Sequence, residues 1–118
     1  MATFSKQVFS GSTLGRGIEI DETVVGSAVT IHQVANTVNL LDEVWLYAQN
    51  TAAQATDLTV WFGGVTAVDD QIAISVPSQD GLTLVVAGIP LGQNLIIKAH
   101  AERASEIIVY GYVNRLTP

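Results

Sequence analysis

The chain contains no cysteine, which excludes disulfide cross-links, thiolate metal sites and cysteine nucleophiles. Charge is scarce: 14% of residues are Asp, Glu, Lys or Arg, against roughly 25% in an average soluble domain. Basic residues are the scarcest, 5 against 11 acidic, for a net charge of −6. A protein that tracks nucleic-acid phosphates needs the opposite sign, so no nucleic-acid partner is expected. Long apolar runs are also missing. The longest, Leu82 to Leu91, is interrupted by Gly88 and Pro90 and falls well short of the ~20 residues a membrane helix needs. The opening Met1-Ala-Thr-Phe-Ser-Lys-Gln7 lacks the basic-then-apolar layout of a secretory signal. The expectation is a soluble protein with no membrane partner and no export signal of its own.

What is present is apolar and β-branched. The 118 residues fit one domain and are 48% hydrophobic. A domain this small buries only about two-thirds of the surface its unfolded chain exposes. Part of the apolar excess must therefore face water or be covered by another chain. Val, Ile and Thr, whose branched Cβ atoms suit a pleated sheet, make up nearly a third of the residues.

Period-two alternation dominates from the middle onward. Val44, Leu46 and Ala48 alternate with Trp45, Tyr47 and Gln49; Leu58, Val60 and Phe62 with Thr59 and Trp61. Further on, Ile72, Ile74 and Val76, then Leu82, Leu84 and Val86, then Leu95, Ile97 and Ala99, then Ile107, Val109 and Val113 each form one side of a run. Turn signals separate these runs at Asn50-Thr51, Gly63-Gly64, Pro77 to Gly81, Gly88 to Gly92 and Arg103-Ala104. Weaker strands are read near Thr3 to Phe9, Arg16 to Ile20 and Ala28 to Val34. No stretch carries an apolar stripe of helical period, and the alanine-rich Thr51 to Ala55 is too short for a stable helix. The pattern predicts an all-β, single-domain antiparallel β-sandwich, jelly-roll-like, of about nine short strands. Residues 1–17 read as an N-terminal strand or arm with a Gly-rich turn, and residues 18–118 as the sandwich. Strand order is left open.

A sandwich in water should carry polar residues on its outer faces. Here several second-face positions are instead Trp45, Tyr47, Trp61, Val85, Ile96, Ile108, Tyr110 and Tyr112. Tyr and Trp are frequent anchors of protein interfaces. Three readings stand: an intersubunit surface, cover from within the domain, or a ligand platform. For the last, Trp45, Tyr47 and Trp61 would stack on a sugar, although their sequence neighbours are mostly apolar.

Catalytic patterns are not found. Gly11-Ser-Thr-Leu-Gly15-Arg-Gly17 has neither phosphate-loop nor dinucleotide spacing, and the strand-like Ile18-Glu-Ile20 follows it. His32 and His100 have no second imidazole or carboxylate at ligand spacing, and no nucleophile elbow marks a Ser-His-Asp triad. The carboxylates of Glu19, Asp21, Glu22, Asp69, Asp70 and Asp80 match no calcium loop. No catalytic residue, metal ligand or cofactor site is expected.

Several blocks, taken together, resemble known proteins. They are Phe4 to Thr13 (Phe-Ser-Lys-Gln-Val-Phe-Ser-Gly-Ser-Thr), Gly15-Arg-Gly17-Ile, Leu41 to Asn50 (Leu-Asp-Glu-Val-Trp-Leu-Tyr-Ala-Gln-Asn), Trp61-Phe-Gly-Gly64, Asp70-Gln-Ile72 and Tyr110 to Arg115. The string resembles the small virion proteins of tailed bacteriophages that decorate or cement the capsid, in overall pattern and without a diagnostic motif. The resemblance implies a sandwich on the outer surface of the head, commonly a trimer, that binds the major capsid protein and bridges capsomers. It also implies an extended terminal arm reaching a neighbouring subunit, with Phe4, Val8 and Phe9 as its contacts. A small tail or baseplate component of the same virion is the nearest competitor.

Overall fold

The computed structural model describes residues 3–118, and these form nine strands in two antiparallel sheets. The strands are β1 (Thr3–Val8), β2 (Ile18–Ile20), β3 (Val29–Gln33), β4 (Leu41–Asn50), β5 (Thr56–Phe62), β6 (Gln71–Val76), β7 (Thr83–Gly92), β8 (Ile96–Ala101) and β9 (Ile107–Thr117). The first sheet runs β1-β9-β4-β7, with β2 pairing farther along β9; the second runs β3-β8-β5-β6. One 3-10 turn, Val25–Ser27, precedes β3.

The pairings are nested. β5 pairs β6, β4 pairs β7, β3 pairs β8, and β1 and β2 together pair the two halves of β9. A long hairpin folded over on itself in this way, alternating between two sheets, is the jelly roll. Its core lies between the sheets, where the alternating sets Val44, Leu46 and Ala48, Leu58 and Val60, Ile97 and Ala99, and Ile107, Val109 and Val113 meet with almost no exposure. Branched aliphatic side chains suit this space because they fill both sheets' inner faces without polar atoms to satisfy.

Two local features depart from simple alternation. The β4–β7 register slips between Leu46 and Tyr47 and again between Val44 and Trp45, so β7 carries extra residues at Val85 and Gly88. Val86 therefore faces the core opposite Leu46 while Leu84 is turned outward opposite Tyr47, 46% exposed. The expectation that Leu82, Leu84 and Val86 share the inner face is corrected accordingly; Leu82 is exposed as well. A second slip, between Thr30 and His32 in β3, buries both Ile31 and His32.

The N-terminal segment is folded onto its own chain. β1 pairs Thr3 to Val8 with Thr117 to Tyr112 of β9, and Phe9 turns into the core at 1% exposure. Gly111 makes room for it: a Cβ there would lie 2.9 Å from the Phe9 ring and 2.0 Å from the Trp45 carbonyl oxygen. Phe9 as a contact to a neighbouring subunit is thus corrected to a core residue, because an aromatic ring gains more by filling that space than by waiting in water. Phe4 and Val8 remain exposed.

Candidate functional site: the outer face of the first sheet

The register of β4 against its neighbours arranges the outer face of the first sheet in rows. Tyr47 lies opposite Tyr110 on β9 and Leu84 on β7; Trp45 lies opposite Tyr112 and Ala87. Glu43 lies opposite Asn114 and Pro90, and Leu41 opposite Leu116. β1 extends three of these rows, setting Val8 beside Tyr112, Lys6 beside Asn114 and Phe4 beside Leu116. Five of the seven expected interface residues, Trp45, Tyr47, Ile108, Tyr110 and Tyr112, thereby share one surface, each half-buried. Leu84, Leu116 and Leu41 belong to the same surface and escaped the sequence reading: the first because of the bulge, the others because they stand at strand ends.

The rings on this face support one another. Trp45 and Tyr112 stack with centroids 6.5 Å apart and planes 16° from parallel. The Lys6 ammonium sits 4.6 Å from the centre of the Tyr112 ring. On the far side of Trp45 the chain is Gly88, where a Cβ would lie 2.7 Å from the indole. The result is a ladder across four strands, Gly88, Trp45, Tyr112, Lys6, of stacking and cation–π contacts. The Trp45 indole N–H donates to Glu43 (2.9 Å), as does the Asn114 amide (3.2 Å). Those two bonds hold the Glu43 carboxyl below its ordinary value. Near the other end of β9, Gly17 crosses Ile108 and Tyr110 so closely that a Cβ would meet both side chains. There they form one wall of an open groove of about 720 Å³, which Ser12, Thr13 and Arg16 also line.

Trp61 and Ile96 lie elsewhere. Both are on the outer face of the second sheet, and Trp61 is 5% exposed, its indole stacked on His100 (6.0 Å) with the ring N–H donating to His100 Nδ1 at 3.0 Å. Trp61 as an open interface anchor is therefore corrected to a buried side chain held by its histidine. The sugar platform of Trp45, Tyr47 and Trp61 is not assembled, since its members are on opposite sides of the molecule. Burial lowers His100 from its ordinary value, in keeping with a ring that accepts from Trp61 at Nδ1.

A polar cluster lies inside, where His32 (β3) and Asp42 (β4) are 1% and 0% exposed and join the two sheets through a 2.7 Å hydrogen bond. Arg115 (β9) grips the same carboxylate with Nε at 2.9 Å and Nη2 at 3.0 Å. Burial would raise the Asp42 carboxyl, but the bonds from Arg115 and His32 outweigh it and hold it below the ordinary value. The second ring nitrogen of His32 accepts from the Ser10 backbone N–H at 3.0 Å, and the Ser10 hydroxyl accepts from the Gln33 N–H instead of facing the ring. The pair is sealed from solvent and faces no hydroxyl nucleophile, so its geometry is that of a structural tie. Among the described residues no group of three or more His, Cys, Asp or Glu is placed to hold a metal ion, and no helix is long and apolar enough to cross a membrane. Comparison with protein-family models, curated proteins and solved structures finds no match to this chain. What the surface offers chemically is contact area around a stacked aromatic centre.

Proposed function

We propose that the chain is a structural virion protein that decorates the outer surface of a phage capsid, associating with its own copies as a trimer and docking on the major capsid protein. The observation that carries this reading is the aromatic centre of the first sheet's outer face. The first sheet presents Phe4, Val8, Leu41 and Leu84 around a fixed aromatic centre, with Lys6 and Glu43 the only charges in those rows. An apolar face of this kind, even crossed by the Lys6–Asn114–Glu43 row, supports an interaction site, and stacked Trp and Tyr give area at little cost in side-chain freedom. The trimer, the shell and the bridging of capsomers come from the sequence resemblance; the jelly-roll fold is compatible with many functions and decides none of them. Burial contributes roughly 25 cal/mol per Å² of apolar area before the costs of association. Repetition over a lattice turns such modest contacts into avidity.

The test is oligomeric state and shell binding. Light scattering on a sizing column should give an assembly at micromolar concentration, and the protein should bind capsids that lack it. Tyr47→Ser combined with Leu84→Ser should weaken self-association about 10- to 100-fold, equivalent to roughly 1.4–2.8 kcal/mol. Lys98→Ser, on the other outer face, should leave it unchanged. A monomer that ignores such capsids would refute the proposal.

A further inference from the structure

β1 is attached to the molecule in an unusual way. All six of its residues are exposed, so beyond its ladder to β9 it contributes no buried side chain. As the edge of the first sheet it is bonded on one side only, and apart from Lys6 over the Tyr112 ring its side chains pack on little. Its hold on the domain is concentrated just after its end, at Phe9, Ser10 and Gly11. Phe9 is buried beside the His32 ring at 5.8 Å between centroids, the Ser10 N–H donates to His32 Nδ1, and the Gly11 N–H donates to the Ile31 carbonyl at 2.8 Å.

Because Ser10 N–H points at Nδ1, that nitrogen must be the unprotonated one, and Nε2 must carry the hydrogen donated to Asp42. His32 is thereby neutral, in a single tautomer. Adding a proton at Nδ1 would bring two N–H groups head to head and would place a third charge beside Asp42 and Arg115, which already balance each other. We infer that His32 is a proton-operated latch for the N-terminal strand: protonation breaks the Ser10 contact, frees the segment from Phe9 to Gly11, and loosens β1 from β9. This holds whether or not the outer face is an assembly surface.

The charged groups that act on the ring are Asp42 from β4 and Arg115 from β9; β8 sets the apolar Ile97 opposite it. Burial pushes His32 below the ordinary histidine value of 6.5, the bond and charge of Asp42 oppose that, and Arg115 reinforces it. With Phe9 and Ser10 withdrawn the ring takes up a proton more readily than in the latched state, so latching is strongest above the ordinary histidine value and weakens as pH falls below it.

Hydrogen exchange resolved by residue tests this. Between about pH 7.5 and pH 5, protection of the β1 amides, corrected for intrinsic rates, should fall about tenfold relative to those of β4. His32→Gln should abolish that dependence, whereas His100→Gln should preserve it. Nitrogen NMR of the wild-type imidazole supplies a check that needs no variant. It should show hydrogen on Nε2 alone at neutral pH and a titration that coincides with the loss of β1 protection. Protection of β1 that ignores pH, the same dependence in His32→Gln, or a Nδ1–H tautomer at neutral pH would each overturn the latch.

Discussion

The two outer faces of the sandwich face the same solvent and are built differently. On the second sheet the outward positions are Asp57, Thr59, Gln71, Ala73, Ser75, Lys98 and His100, with Ile96 and a tucked-in Trp61. On the first they are Phe4, Val8, Leu84 and Leu116 with Trp45, Tyr47, Tyr110 and Tyr112, crossed by a polar row of Lys6, Asn114 and Glu43, with Gln49 and Glu19 beside Ile108. Each face has one tryptophan, and the two are handled in opposite ways. Trp61 is laid down on His100 and removed from water; Trp45 is propped between Gly88 and Tyr112 and left half-exposed. The open aromatic rings are therefore gathered on the first sheet's outer face, while exposed aliphatic residues such as Val24, Val38, Val65 and Val68 lie in loops elsewhere. On the proposed assembly, a second face without open aromatic rings leaves one docking side, where two would favour open-ended association.

Truncating each indole separates the two faces. Trp61→Ala should cost about 3 kcal/mol of folding stability, since it empties a buried site and leaves His100 without its donor. Trp45→Ala should cost about 1 kcal/mol in the same denaturant titration while weakening self-association about tenfold or more. Equal folding costs would mean that the two faces are covered alike, and the assembly surface would be misplaced. At the small end, Lys6→Ala removes only an exposed cation–π contact. It should lower the urea midpoint by the equivalent of about 0.5 kcal/mol. A much larger loss would show that Lys6 bears on the ladder through more than its charge.

Much of the fold was legible because the inner-face residues alternate with little interruption. Val44, Leu46 and Ala48 of β4, and Ile107, Val109 and Val113 of β9, are inward as read. The exceptions have local physical causes. A bulge changes the parity of a strand without changing its composition, so nothing in Leu82 to Val86 announces that Leu84 faces out. Phe9 reads as part of an arm because its pocket is made by a residue far away in sequence, Gly111. His32 and His100 look alike as polar residues in strands. Their difference arises from partners on other strands: Asp42 and Arg115 for one, Trp61 for the other. Spacing along the chain carries no trace of either. For the candidate surface, the sequence identified the aromatic residues but not that Trp61 and Ile96 belong to the opposite face, because assigning strands to sheets requires the pairing order.

The nesting of the strand pairs has a kinetic consequence. Only β5 and β6 are partners close in sequence; each further pair, β4 with β7, then β3 with β8, then β1 and β2 with β9, closes a longer loop around it. Loop closure costs rise with length, and folds dominated by distant pairings assemble slowly, on the scale of milliseconds to seconds. The chain should therefore close from its middle outward, with the central hairpin as the seed and the β1–β9 ladder as the last part to form. Pulse-labelled hydrogen exchange during refolding would register that order as early protection in β5 and β6 and late protection in β1; simultaneous protection would contradict it. On this account the strand that His32 secures is also the one whose docking completes the fold.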